Sequence, residues 1–256
     1  MGKGPFEMME RNYISGVRLK SPVDEGSYLH GLPVVRHLAQ MKTLVFSKAV
    51  TFLVGENGTG KSTLLEAIAV AYGFNAEGGT RNFSFATSTT HSELHRYITL
   101  SRSAYPKDGF FLRAESFYNA ASYIDEVYEE EFRAQVGTSY GERSLHAQSH
   151  GESFLSLVEN RFGGNSIFLL DEPESALSPS RLMTLLAHIH QLVGQNSQFI
   201  IATHSPILIT YPGAEVLELS EQGIHSVDYR ETEHYQLTRR FLENPEQMLH
   251  YLLDER

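Results

Sequence analysis

Gly55-Glu56-Asn57-Gly58-Thr59-Gly60-Lys61-Ser62-Thr63 is the stretch on which the reading of this chain turns. Its spacing is G-x-x-x-x-G-K-[ST]. Glycines at these places let the backbone turn back on itself, so that successive N–H groups point inward with no Cβ in the way. Such a loop predicts a nucleoside triphosphate site, with Lys61 on the β- and γ-phosphates and the Ser62 hydroxyl on the accompanying Mg²⁺. The flanks agree. Ala49 to Val54 reads as a buried strand, and Leu64, Leu65, Ile68, Ala69 and Tyr72 share one face of a helix whose positive end would meet the phosphates.

Working outward, 256 residues allow one large α/β domain, 1–256. A hydrophobic share of 41% and a charged share of 20% are those of a globular protein, and no apolar run is long enough to span a bilayer. No direct membrane insertion is expected. The absence of cysteine excludes disulfides and thiolate metal sites, and with no signal-peptide pattern the expected compartment is the cytoplasm. A formal net charge of −10 argues against general coating of nucleic acid, an affinity that comes from Lys and Arg displacing counterions. Among the twelve histidines, His91/His95 and His146/His150 are four apart but lack a third ligand nearby, so solvated or hydrogen-bonded histidines are the expectation.

Tyr13 to Lys20 alternates as a strand at a sheet edge, Ser21 to Gly31 is rich in turns, and Leu44-Val45-Phe46 leads into the strand before the loop. Tyr13, Tyr28 and Phe46 are the candidates to stack on an adenine. Tyr97 to Leu100 and Gly109 to Glu115 read as a hairpin, and Phe117, Ala121, Ile124 and Tyr128 recur at helical spacing. A further helix runs from Phe154 to Phe162 and stops at Gly163-Gly164. Ile167 to Leu170 is a continuous apolar run of the kind buried in a parallel sheet, ending on Asp171-Glu172. Ser178-Pro179 then opens a helix with an apolar stripe from Leu182 to Val193. Gln198 to Ala202 is the next buried strand, closed by Thr203-His204. A hairpin turning at Gly223 and a helical segment broken at Pro245 complete the chain.

Two acids ending a buried strand beside a phosphate loop divide the work of hydrolysis. Asp171 is assigned to the metal, and Glu172 to the attacking water as general base. His204, straight off the neighbouring strand, lies at the carboxyl edge where ligands of α/β proteins gather, and can donate to a γ-phosphate or simply cap the strand.

In this order the parts resemble the ATP-binding-cassette (ABC) ATPases over most of the chain. The resemblance implies an α/β P-loop fold with a mainly parallel central sheet, an N-terminal antiparallel β-layer and a helical lobe at about 116–162. It also implies ATP and Mg²⁺ as cofactors, and a homodimer that closes around two ATP. Ser149-His150-Gly151-Glu152 is similar to the family's signature motif, which binds the γ-phosphate held by the opposite subunit. Gln148, His150 and Glu152 depart from its usual letters, and the same residues also describe a capping box. Ser175 to Ser178 resembles the D-loop at the dimer seam, and His204 the switch histidine. Glu115 stands near the place of the metal-touching glutamine, as a metal ligand or as a surface acid. Phe111 to Ser116 and Thr203 to Leu208 resemble compact SMC-like and related bacterial ATPases. The expected function is therefore Mg-dependent ATP hydrolysis driving a clamp in a repair- or defence-like role, on a protein or nucleic-acid partner that the residues do not name. A transporter's ATP-binding subunit and a slow-turnover binding switch are the alternatives, and a small-molecule kinase would need neither the serine-glycine element nor the switch histidine.

Overall fold

A computed structural model describes residues 12–80, 92–113 and 150–253. Two sheets organise them. The larger has six strands in the order β5 (Asp108–Arg113), β6 (Ser166–Asp171), β7 (Gln198–Ala202), β3 (Val50–Val54), β8 (Glu215–Leu219) and β9 (Ile224–Ser226). All neighbours are parallel except β8 and β9, which form the antiparallel hairpin expected around Gly223.

The sheet is apolar on both faces because its strands alternate between two cores. Leu53, Ile167, Leu169, Ile200 and Ala202 face a core shared with α2 (Lys61–Tyr72) and the smaller sheet. Phe52, Phe168, Leu170, Phe199 and Ile201 face the other, with Phe154 and Leu157 of α3 (His150–Arg161) and Leu182, Leu185 and Ile189 of α4 (Pro179–Val193). Ser178 is the N-cap residue of α4 with proline at the first helical position, as expected. Its side chain makes no capping bond to the helix and meets the Ser180 hydroxyl instead.

The smaller sheet is antiparallel, with order β2 (Leu44–Val45), β1 (Ile14–Leu19) and β4 (Ile98–Arg102). Three expectations are corrected here. β1 is the middle strand and not an edge. β2 precedes β3 in the chain but pairs with β1 and not with β3. β4 and β5 form no hairpin: β4 joins β1, while β5 lies parallel to β6. The reason lies in their side chains. Phe110, Phe111 and Leu112 are all buried and need a sheet covered on both faces, whereas β4 has one buried end and half-exposed residues suited to an outer layer. Gln198 ties the two sheets together, its side chain exchanging two hydrogen bonds with the backbone of Ile14 at 2.8 and 2.9 Å.

The turn-rich reading also missed α1 (Pro33–Gln40), which starts on proline and buries Val34, Val35 and Leu38. The C-terminal segment is two helices, α5 (Glu233–Glu243) and α6 (Pro245–Leu253), meeting at Pro245. The expected helix from Phe117 and most of the proposed lobe lie outside the described residues. No helix among the described residues is long and apolar enough to cross a membrane.

Candidate nucleotide site

The sheet register assembles the site. Leu53, Ala202, Asp171 and Arg113 lie level across β3, β7, β6 and β5, each paired with the next. Neighbouring strands are about 4.8 Å apart, so whatever follows these residues emerges along one short edge. After Leu53 comes the phosphate loop, after Asp171 comes Glu172, and after Ala202 come Thr203 and His204.

The loop has the backbone that its glycines predict. Gly55, Gly58 and Gly60 have φ of 133°, 84° and 95°. A Cβ on Gly55 would overlap the carbonyl oxygen of Leu219 on β8, and one on Gly60 would overlap Val34 of α1. Helix α1 braces the loop as well as crowding it, since Val34 N–H donates to the Thr59 carbonyl at 3.2 Å. Glu56, Asn57 and Gly58 are exposed at the rim, Thr59 and Gly60 are buried, and Ser62 and Thr63 are half-buried at the start of α2. Lys61 is buried, and its ammonium donates to the carbonyls of Gly55 and Glu56 at 2.8 and 2.9 Å. Burial pulls its pKa below the usual lysine value, opposed by the charges of Glu172, Asp171 and Glu174.

Asp171 is buried, with Arg113 Nε 3.5 Å from Oδ2. Arg113 also pairs at 2.6 Å with Glu66, a buried acid of α2 whose second oxygen accepts Ser92 N–H at 2.6 Å. Glu172 takes a left-handed conformation with φ 49°, unusual for a residue with a Cβ. Its Oε1 lies 3.8 Å from His204 Nε2. That nitrogen is buried and has no hydrogen-bond partner among the described residues. Desolvation, then the nearby Lys61 and His234, lower the His204 pKa to about 4, so the ring is neutral at physiological pH.

Three neighbours of the site were missed by sequence reasoning. Glu174 holds the Thr203-His204 segment, accepting from Thr203 Oγ1 and from the backbone N–H of His204. Arg113 joins α2 to the acidic strand. His234, near the start of α5, places Nε2 3.0 Å from His204 Nδ1. With Gln236, Leu237 and Arg240, it faces Gly55 to Thr59 across a cleft of about 800 Å³. Acids after Asp171-Glu172 were legible as letters, but which of them turns inward depends on the turn at Pro173–Ala176. Nothing local marks His234, which meets the site only through the fold.

Glu115, the candidate metal ligand, and Ser149, the first residue of the signature-like element, lie outside the described residues. His150 begins α3. Gly151 packs so closely on the D-loop-like segment that a Cβ would come within 2.9 Å of the Ala176 carbonyl oxygen, and Glu152 pairs with Arg181 of α4 at 3.0 Å. The signature-like and D-loop-like segments are thus neighbours. Of the adenine-stacking candidates, Tyr13 and Phe46 are buried, while Tyr28 is 66% exposed.

Mg·ATP fits these residues. Consecutive loop amides, a lysine and an unsatisfied imidazole nitrogen suit phosphate oxygens. No group of three or more His, Cys, Asp or Glu side chains able to hold a metal occurs among the described residues. A magnesium ion requires none, because it is held by one or two protein oxygens with phosphates and water.

Comparison with known proteins agrees with this reading of fold and loop. A family model described as "AAA domain" matches residues 35–149, and one described as "AAA domain, putative AbiEii toxin, Type IV TA system" matches 144–210. The ribose import ATP-binding protein RbsA of Bacillus cereus is 25% identical over 195 residues, which are 68% of this chain and 38% of that protein. This chain therefore spans well under half of that relative. An uncharacterized ABC transporter ATP-binding protein of Haemophilus influenzae is 26% identical over 185 residues, 66% of this chain and 69% of its own length. A chain from an ABC transporter solved in an inward-facing conformation superposes with a TM-score of 0.51 at 19% identity, covering 88% of both chains.

Proposed function

We propose that this chain is an ABC-type P-loop ATPase that binds Mg·ATP at Gly55–Thr63 and hydrolyses it as one head domain of an ATP-dependent homodimer, a reading supported by the family models, the curated relatives and the superposed transporter chain. The carrying observation is the level register of Leu53, Ala202 and Asp171, from which the loop, Glu172 and His204 leave the sheet together. Magnesium, when bound, neutralises charge on the phosphates, with Ser62 and Asp171 as its protein oxygens and Glu115 as a third candidate.

The remaining work falls to side chains of the chain itself. Lys61 and the loop amides hold the phosphates, His204 Nε2 donates to the terminal one, and Glu172 orients water and takes its proton. Ser149 to Glu152, with the D-loop beside it, would close the site of the opposite copy. ATP binding then favours the closed dimer, and hydrolysis opens it.

Glu172→Gln tests this by light scattering with and without Mg·ATP, beside wild-type phosphate release. The expected result is a long-lived ATP-dependent dimer for the variant and a transient one for wild type, with phosphate release reduced at least 100-fold by loss of the base. A variant that binds ATP but stays monomeric defeats the clamp.

A non-transport role rests on the SMC-like letters of Phe111–Ser116 and Thr203–Leu208. A transporter subunit is the second reading, supported by the names of the curated relatives. Co-purification with a multi-span membrane protein would favour it.

A further inference from the structure

We propose that His234 is a positioning residue for His204: its Nε2–H donates to His204 Nδ1 and thereby keeps the His204 proton on Nε2, the nitrogen that faces Glu172. The proposal rests on the phosphate-facing role assigned above to His204, and extends it to a helix that no part of that reading used.

The two rings meet at Nδ1···Nε2 3.0 Å, edge to face, with centroids 5.0 Å apart. Such a bond needs one nitrogen bearing hydrogen and one bearing a lone pair, so only two neutral arrangements exist. If His204 donates, its Nε2 is left with a lone pair turned toward a carboxylate at 3.8 Å and toward a site built for anionic phosphate. Lone pair then faces negative charge. If His234 donates, His204 Nε2 carries the hydrogen that both anions attract. The second arrangement is favoured at each end of the His204 ring.

The other groups around this ring are accounted for. Glu172 stands on the Nε2 side, and Glu174 is engaged with the His204 backbone N–H and Thr203. The Lys61 ammonium donates to Gly55 and Glu56. With the backbone pinned by Glu174, the ring retains only its side-chain torsions, and the bond to His234 holds those. Helix α5 places it there: buried Thr232 is the N-cap residue, and its hydroxyl, which makes no bond to the helix, ties the entry to the preceding turn by donating to the Tyr229 carbonyl at 2.7 Å.

The test reads the tautomer directly. ¹⁵N NMR of the nucleotide-free chain at neutral pH, with His204 assigned by comparison with His204→Gln, should show Nε2 protonated and Nδ1 bare. His234→Gln, whose amide N–H can donate from nearly the same point, should keep that pattern. His234→Ala should lose the single tautomer. In steady-state ATPase assays His234→Ala should lower kcat about 10- to 100-fold, as loss of an orienting partner does, with KM for ATP unchanged, and His234→Gln should recover most of the loss. A wild-type His204 protonated on Nδ1 overturns the proposal, and so do Gln and Ala variants equally impaired in kcat. A chain that turns over no ATP defeats the function proposed above, and the NMR arm still decides the tautomer.

Discussion

Glu174 Oε1 accepts the backbone N–H of His204 at 2.5 Å, while its other oxygen accepts the Thr203 hydroxyl at 2.8 Å. The turn after β6 thus fastens the end of β7. Glu174→Ala strands both donors and is expected to cost about 1–3 kcal/mol, read as a lower urea midpoint. Burial raises the Glu174 pKa above the usual 4.5. For a raised carboxyl pKa the unfolded state holds fewer protons, so stability from this group is present below 4.5 and declines as pH rises through the folded value. The wild-type minus Glu174→Gln stability difference should therefore fall with rising pH above 4.5.

His204 gives the opposite slope. Its pKa falls from 6.5 to about 4 on folding, so the unfolded chain binds more protons between those values. Stability from this group is present above pH 6.5 and is lost as pH falls toward 4. With the ring partly exposed, water screens the charge and the loss should be about 1–2 kcal/mol. Urea midpoints of wild type and His204→Gln measured from pH 7 to 4 should converge by that amount.

The loop glycines should differ in repairability. At Gly60 the φ of 95° and the overlap with Val34 both oppose alanine, and Val34→Ala should relieve the second but not the first. At Gly55 the obstacle is the backbone carbonyl of Leu219, which no side-chain change moves. Expected losses are about 1–3 kcal/mol for Gly60→Ala and more for Gly55→Ala. Thermal melts of the singles and of Val34→Ala/Gly60→Ala would show rescue at Gly60; equal rescue at Gly55 would contradict the geometry.

Arg113→Met removes the partner of a buried carboxylate. Glu66 keeps only the Ser92 N–H, and breaking such a pair costs about 3 kcal/mol. Glu66→Gln in the same chain should return part of the loss, because the uncompensated charge is gone. A double-mutant cycle by denaturation measures this, and additive losses would mean that the pair carries no coupling.

How far these features could be read in the letters depends on range. The loop was legible because four required positions, two glycines, a lysine and a hydroxyl, fall at fixed spacing within eight residues. β6 and β7 were legible because Phe168-Leu169-Leu170 and Phe199-Ile200-Ile201 are apolar without interruption, which marks a strand covered on both faces. The partner of a strand is not local information. β4 followed by β5 has the form of a hairpin, and only the burial of Phe110 and Phe111 separates them into different sheets. Helix α1 escaped because Pro33 follows a turn-rich stretch and the helix spans only eight residues. His234 and Arg113 escaped for the same reason as the hairpin: each meets its partner across the fold, with no spacing rule to announce it.

The strand that carries the phosphate loop is flanked by β7 and β8, which follow it by roughly 150 residues. During synthesis at ~5–20 residues per second, β3 should therefore wait roughly 10–30 s beside the ribosome with four apolar residues, Val50, Phe52, Leu53 and Val54, and no neighbour. We expect the nascent chain to need shielding over that interval, and nucleotide affinity to appear late and abruptly. Stalled chains ending before Gln198 should be protease-sensitive at the loop and unable to retain ATP, whereas chains long enough to expose Leu219 should resist cleavage; early protection would show that the loop folds without its flanking strands.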